Sequence, residues 1–360
     1  MEGVYRRRIR GAKDRLRVAG VDALLVSHLP NVFYFCGFTG SAGALLIGPD
    51  RPTLFTDRRY TLQSREEAQG ARVRISRGSL VDAVGQHLRR MGRGRVAFEP
   101  SRLSVAQKGE LQRAAGARIR WVALGNVGEE LRAIKDSEEI ACMRKAARLG
   151  SEVFGEILPL VKPGVRELEL AGEIEYRMRR KGASRAAFET IVASGARAAL
   201  PHARPTQKRL RKNELVVFDL GAILRQYCCD LARTVYVGRA SARIRRWYEA
   251  VRQAQAAARE ALQAGVAAGT VDAEARRVLR GFRLERYFVH STGHGLGLEV
   301  HEEPRLAKGQ KKTVQVGNVV TLEPGVYLEG VGGIRIEDDV AVFADRTEVL
   351  TDAPRELLEL

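Results

Sequence analysis

The chain is poor in cysteine, histidine and aromatic residues, and it has no long apolar run. Its four cysteines, Cys36, Cys142, Cys228 and Cys229, show no CxxC spacing, which removes a thiolate metal site or a disulfide framework as an organising feature. Neighbouring side chains of a strand point apart, so Cys228 and Cys229 make a poor disulfide pair, and reduced thiols are expected. No apolar stretch approaches the roughly 18–20 residues of a membrane helix. The basic N-terminal stretch, Met1 to Lys13, lacks the apolar core of a secretory signal. A cytoplasmic protein without membrane association is the expectation. Aromatics make up only 6% of residues, and 43 acidic residues face 61 basic ones, a formal net charge of +18. Such charge is the footprint of many nucleic-acid binders. Here the basic residues are interleaved with Asp and Glu and lack aromatic stacking partners, so no nucleic-acid partner is expected. Solvated faces or long-range attraction of anionic substrates account better for the charge. At 360 residues and 45% hydrophobic composition, two globular domains are expected, each with its own core. No solenoid-like repeat is visible.

Histidine is scarce but concentrated. Three of the six, His290, His294 and His301, fall in the stretch from His290 to Pro304. His290 and His294 are four apart and share a face on either a strand or a helix. Gly293, Gly295 and Gly297 argue against a helix interior. They fit backbone pressed close to something else, such as a ligand; a glycine-rich turn with incidental histidines is the competing reading. The glycines lack the GxGxxG spacing of a dinucleotide loop. His301-Glu302-Glu303-Pro304 is not HExxH, because position 305 is Arg305 and Pro304 would disrupt the helix that motif needs.

The first 125 residues alternate helical and strand-like patterns, as an α/β domain does. Arg6 to Ala19 reads as an amphipathic helix ended by Gly20, and Asp22 to Ser27 as an apolar strand. Asn31 to Phe38 is aromatic-rich, and Ala44 to Ile47 and Thr53 to Thr56 read as further strands. Tyr60 to Ala68, Leu80 to Arg90 and Ser104 to Ala115 read as helices, with strands at Arg95 to Phe98 and Arg118 to Val122. Asp57, at a strand-to-helix turn, either faces a ligand or caps the helix. Residues 126–136 read as a linker. Beyond them lie a long helix starting at Ser137-Glu138-Glu139 and a second helix from Glu167 to Lys181.

Four acids interrupt apolar strands in the second half. Asp219 lies in Leu215-Val216-Val217-Phe218-Asp219-Leu220, and Asp230 lies in the next strand, Tyr227 to Val237. A turn centred between Leu224 and Arg225 would set the two directly opposite, with Cβ atoms about 4.5–5.5 Å apart. Carboxylates that close repel unless one is protonated or a cation lies between them; ion pairing with Arg233 or Arg225 is the alternative. Glu323, in Val319 to Gly325, and Glu337, in Gly332 to Asp338, form a second such hairpin, with Arg335 and Glu337 on one face. Two divalent cations would neutralise the four carboxylates, and neutral His294 would add a nitrogen ligand. Such an oxygen-rich set suits Mn, Co, Fe or Zn, and a two-metal site with open positions points to hydrolysis. His202 lies in a proline-bounded loop, a usual place for a functional side chain.

Taken together, Ala199-Leu200-Pro201-His202, Asp219 through Thr234, His290 through Pro304, Glu323-Pro324-Gly325 and Arg335-Ile336-Glu337-Asp338 resemble the metallopeptidases of the pita-bread fold, in their aminopeptidase P and prolidase branch. Asn31 to Ile47 and Leu54 to Tyr60 resemble that family's creatinase-like N-terminal domain. The resemblance implies an α/β creatinase-like domain over residues 1–125 and an α+β pita-bread (creatinase/aminopeptidase) catalytic domain over residues 137–360. It implies a metal set of Asp219, Asp230, His294, Glu323 and Glu337, with Asp230 and Glu337 bridging two divalent ions. Manganese is favoured, with cobalt or zinc as alternatives. His202, His290, His301 and Arg335 would contact a proline-containing peptide and help stabilise the transition state, while Glu323 manages the proton. A homodimer is implied as well. Arg197, Arg204 and Ala232 stand where the family often has Asn, Gly and Thr; none is a metal ligand, but the two arginines flank His202.

The expected reaction is hydrolysis of the bond between an N-terminal residue and a following proline, with an Xaa-Pro aminopeptidase favoured over an Xaa-Pro dipeptidase (prolidase). Arg204 is either a clamp for the substrate carboxylate or a solvated loop residue. A non-catalytic binding module of the same fold would have lost the ligand set. A creatine amidinohydrolase does not need it, and a methionine aminopeptidase typically lacks the N-terminal domain.

Overall fold

Short apolar runs separated by amphipathic helices build the first of two units, Met1–Arg132 and Ala133–Leu360, in a computed structural model that describes residues 2–360. Met1, where the basic N-terminal stretch begins, lies outside the described residues. The strands of the first unit are Ala23–Val26 (β1), Gly43–Ile47 (β2), Thr53–Asp57 (β3), Arg72–Ser76 (β4), Gly94–Phe98 (β5) and Ile119–Ala123 (β6). They form one mixed sheet in the order β4-β3-β2-β1-β5-β6. β1, β2 and β3 pair antiparallel, and the other pairings are parallel. Central β1 is buried on both faces, which is why it reads as a continuous apolar run rather than an alternating one. The helices are Glu2–Ala19 (α1), Leu29–Cys36 (α2), Thr61–Glu67 (α3), Leu80–Met91 (α4), Val105–Ala115 (α5) and Val127–Arg132 (α6). Val84, Leu88 and Leu111 of α4 and α5 pack on Leu25, Phe55 and Val96.

The structure corrects or decides two readings of this unit and adds two elements, α2 and β4. The aromatic-rich stretch Asn31–Phe38 lies mostly within α2: Pro30 suits its first turn, and Gly37, at φ 78°, ends it. Residues 126–136 are not a bare linker, since α6 occupies most of them. Arg132, only 1% exposed, donates to Asn31 Oδ1 at 2.7 Å, and Asn31 in turn donates to Glu99 at 2.6 Å. Edge strand β4 went unanticipated because charged residues occupy one face of Arg72-Val73-Arg74-Ile75-Ser76. Asp57 caps: its carboxylate accepts the Arg59 N–H at 2.9 Å.

The second unit opens with two long helices, Ser137–Ile157 (α7) and Glu167–Arg180 (α8). The α7 cap is Asp136. Its carboxylate takes the Glu138 and Glu139 N–H groups, and Glu139 returns the bond to the Asp136 N–H. Then follow Arg185–Ala186 (β7), Ile191–Ser194 (β8), Glu214–Leu220 (β9), Ala222–Leu224 (β10), Tyr227–Cys228 (β11) and Leu231–Val237 (β12). A second helix pair, Ala242–Ala261 (α9) and Ala268–Gly281 (α10), precedes Gly293–Gly295 (β13), Glu302–Leu306 (β14), Val319–Leu322 (β15), Gly325–Leu328 (β16), Gly332–Arg335 (β17), Asp338–Val342 (β18) and Thr347–Val349 (β19). Strand pairing is antiparallel throughout, with sheets ordered β12-β9-β8 and β14-β13-β15-β18-β19. Helices laid on antiparallel sheets make this unit α+β. Ala250, Ala254, Ala258, Ala268 and Ala275 are fully buried in the core that α9 and α10 share with Val320, Leu322 and Ile334. Enlarging one of these alanines would overpack the core at a cost of about 1–3 kcal/mol.

Candidate metal centre

Two antiparallel hairpins carry the acids. On the β9–β12 ladder, Asp219 pairs with Ala232 rather than with Asp230. The turn is centred between Arg225 and Gln226, one residue later than the sequence suggests. The slip moves the partner of Asp219 by two positions, so side-chain parity survives. Asp230 still shares a face with Ala232, and therefore with Asp219. In the second hairpin, β15–β18 and β16–β17 keep one common register, and Glu323 and Glu337 fall in the break between them. The two hairpins are stitched together by backbone: the Glu337 N–H donates to the Ala232 carbonyl at 3.0 Å. Arg233, 1% exposed, donates to the carbonyls of both residues and pairs with Asp338 at 2.7 Å. Arg233 is thus a brace, not the partner of Asp219.

His294 enters from β13. A Cβ on Gly293 would collide with the Thr321 carbonyl, and one on Gly295 with the Glu303 carbonyl. The glycines therefore admit neighbouring strands, not a ligand. The Nδ1 of His294 lies 3.0 Å from the Gly295 carbonyl, a contact that calls for a proton on Nδ1 and leaves Nε2 as an acceptor. That Nε2 lies 3.8 Å from Asp230 and 3.6 Å from Glu323. Asp230, His294 and Glu337 each offer a ligand atom within 4.8 Å of the others'. Glu323 flanks this group. Asp219 lies outside it and is bound by the Arg335 guanidinium.

His290 Nδ1 meets the Ser291 carbonyl at 2.8 Å, so its Nε2 accepts from the Tyr327 hydroxyl at 2.8 Å; that hydroxyl accepts from Arg335 Nη1, also at 2.8 Å. His301 stands edge-on to His294, with ring centroids 4.4 Å apart. His202, His301 and Arg335 line, with all five expected ligands, one cavity of about 340 Å³. His290 is absent from the lining and reaches the site through Tyr327 and through Glu323, 3.8 Å from its Nδ1.

Burial dominates the electrostatics. It pushes the carboxyls of Asp230 and Glu337 well above their usual range, reinforced by neighbouring acids, and lifts Glu323 to about 8 against the pull of Arg335. Burial lowers His290 and His294 to about 4, so both imidazoles are neutral at pH 7. A buried group of carboxylates with a neutral imidazole lacks positive charge of its own. Asp219 Oδ1 and Asp230 Oδ1 are buried without a hydrogen-bond partner. Unpaired oxygens beside an unprotonated imidazole nitrogen are what hard or borderline divalent cations bind, so the residues fit such ions.

Residues 141–344 match the family described as Metallopeptidase family M24, and residues 8–134 match the Creatinase/Prolidase N-terminal domain. The chain belongs to metallopeptidase family M24. It is a hydrolase with a creatinase-like N-terminal domain and a pita-bread catalytic domain, and the family implies divalent metal ions. An Xaa-Pro dipeptidase from Bacillus anthracis superposes on it with a TM-score of 0.95 at 35% identity, covering 99% of this chain and 100% of that one. The Xaa-Pro dipeptidase of Pyrococcus furiosus is 33% identical over 94% of this chain and 95% of its own. An X-Pro aminopeptidase from Thermotoga maritima superposes with a TM-score of 0.89 at 34% identity, covering 96% and 99%.

Sequence reasoning missed several residues that shape this M24 site. Tyr327, which links His290 to Arg335, was within reach: positions 323, 325 and 327 share a strand face. Asp339 was not. It is 1% exposed, accepts the Asp230 N–H at 3.0 Å, and is pushed up by burial. Asp272 on α10 accepts the Thr292 N–H and hydroxyl at 3.1 and 2.9 Å, while Arg276 holds the His290 carbonyl at 2.6 Å. Helix-borne anchors of this kind leave no periodic mark in sequence.

Proposed function

We propose that the chain is an Xaa-Pro dipeptidase working with two divalent metal ions, rather than the aminopeptidase that the sequence favoured. The observation that carries the reading is the group formed by Asp230, His294 and Glu337 in a cavity of about 340 Å³, a space suited to a small peptide. Dipeptidases among the relatives above tip the balance within the family. Asp219, Asp230, His294, Glu323 and Glu337 would hold the ions, with Asp230 and Glu337 shared. Manganese is the proposed ion, with cobalt or zinc as alternatives. Bound ions would supply Lewis acidity and a water of lowered pKa. Glu323 takes the proton released as water attacks the scissile carbonyl and returns it to the departing proline nitrogen. His301 and His202 face the cavity and steady the charge that develops on the carbonyl oxygen. Arg335, hydrogen-bonded to Tyr327 and through it to His290, holds the proline end from the cavity wall. The same family reading extends to a cytoplasmic homodimer, which light scattering of the purified protein and cell fractionation check.

The test compares Xaa-Pro with Xaa-Pro-Xaa-Xaa after chelation and after Mn, Co or Zn is restored. Activity should vanish on chelation, return with metal, and favour the dipeptide by over ~100-fold in kcat/KM, about 2.7 kcal/mol. Equal or better cleavage of the longer peptide would return the assignment to an aminopeptidase. Asp230→Ala and Glu337→Ala should lose both metal content, by elemental analysis, and at least about 100-fold in rate. Wild-type metal content and rate in either variant would remove the bridging assignment.

A further inference from the structure

Val300 and His301 line the cavity from residues 297–301, in the loop between β13 and β14. The His301 ring stands edge-on to His294, and the course of the loop backbone sets where the imidazole points. That backbone is pinned at several places. The Cys228 N–H donates to the Gly297 carbonyl at 2.8 Å, and the Gly297 N–H donates to the Glu299 carbonyl at 3.1 Å. The carboxylate of Glu302 folds back against the loop. Its Oε1 accepts the Glu299 N–H at 3.2 Å, and the carboxylate lies 2.6–2.8 Å from where a Cβ on Gly297 would stand. Gly297 is therefore small because a carboxylate is packed on it.

The Glu302 carboxylate is buried together with a cation. Lys135 Nζ donates to Glu302 Oε2 at 3.0 Å, and the two side chains are 1% and 5% exposed. Lysine is seldom buried so completely unless it is paired. The backbone that carries Lys135 is itself fixed. Its N–H donates to the Gly317 carbonyl at 2.8 Å, and Asn318 Nδ2 donates to the Ala133 carbonyl at 2.8 Å. Gly317 and Asn318 lead directly into β15, which pairs with β13, the strand of His294. Neither Lys135 nor Glu302 lines the cavity. Removing either partner would leave the other as a buried, uncompensated charge, and the nearest relief is for residues 297–301 to open toward water.

We propose that Lys135 is a positioning residue: through Glu302 it fixes residues 297–301 and so aims His301 at the charge that develops on the scissile carbonyl oxygen. The proposal rests on the role given to His301 above. Lys135 stands outside the cavity and acts only through the loop.

The test is a double-mutant cycle in the metal-loaded full chain. It measures kcat, KM and bound metal on whichever of Xaa-Pro and Xaa-Pro-Xaa-Xaa the parent cleaves faster. Lys135→Met should lower kcat by about tenfold or more, with KM changed by less than about threefold and metal content kept. Added to His301→Ala, the same substitution should change kcat by less than about twofold, because no ring is left to aim. Glu302→Gln repeats the cycle at nearly constant volume. It offers one acceptor oxygen to two donors, should behave as Lys135→Met does, and carries the test if Lys135→Met does not fold. Parental kcat in these variants overturns the proposal. An equal loss with and without His301 also overturns it, since a pair that only holds the fold together costs the same in either background. A loss that follows metal content assigns the pair to His294 instead and overturns it as well. Parental kcat in His301→Ala removes the role of His301 itself, so the two readings fail by different measurements.

Discussion

Glu323 shows how burial at a single residue sets chemistry. Lifted from 4.5 to about 8 in the metal-free protein, it keeps a proton across a range where the unfolded chain has lost it. Its contribution to stability therefore falls as pH rises through that window. His290 and His294 are lowered from 6.5 to about 4. There the unfolded chain binds the extra proton, so their contribution rises with pH up to about 6.5. Above that pH the carboxyls alone remain, and Asp230 and Glu337 shift the same way as Glu323. Divalent ions need these groups ionised, so metal binding at pH 7 should release protons, and affinity should climb with pH. Calorimetric titration in two buffers of different ionisation enthalpy reads the release directly. Equal heats in both buffers would show that the carboxyls are already ionised before metal arrives.

At the scale of elements, the β9–β12 hairpin explains both a wrong partner and a right face. Its turn residues, Arg225 and Gln226, have φ of 51° and 73°, the two left-handed positions of a type I′ turn. Neither is Gly, Asn or Asp, so composition gave no hint of where the chain reverses. A non-glycine residue in this region costs roughly 1–2 kcal/mol, and glycine returns roughly 0.5–1 kcal/mol of that as lost backbone entropy. Gln226→Gly should accordingly stabilise the protein by about 0.5–1 kcal/mol, seen as a higher urea midpoint with an unchanged slope. Both turn residues are exposed, so no packing change confounds the reading. A lowered midpoint would mean that the Gln226 side chain makes a contribution its exposure hides.

The whole molecule carries a formal charge of +18. A field of that sign attracts anions over a distance set by salt, about 10 Å at 0.1 M. A zwitterionic Xaa-Pro has no net charge for the field to act on, whereas Glu-Pro carries one negative charge. Between about 20 and 200 mM salt, kcat/KM for Glu-Pro should fall severalfold while that for Ala-Pro stays nearly level. Parallel salt responses for the two dipeptides would assign the charge to solvation alone. Among the described residues no helix is long and apolar enough to cross a membrane.

Which acids come to face one cavity is legible in the chain alone. Asp219, Asp230, Glu323 and Glu337 each interrupt an apolar strand, and the period of two is robust enough that a misplaced turn still left Asp219 and Asp230 on one face. Helices α7 and α8 were legible for the same local reason, a cap followed by an amphipathic pattern. Distant partners set the rest. Leu29–Cys36 is a helix because Pro30 and Gly37 bound it and Asn31 is claimed by Glu99 and Arg132. Asp219 met Arg335, more than a hundred residues away, instead of Arg225 or Arg233. The glycines around His294 make room for Thr321 and Glu303, and the loop of His202 is held by the buried Glu167 carboxylate, which accepts from Ser194 on one side and Thr206 on the other. Local propensity and alternation act within a few residues and leave a mark in the chain; a buried hydrogen bond between remote residues leaves none until the chain has folded.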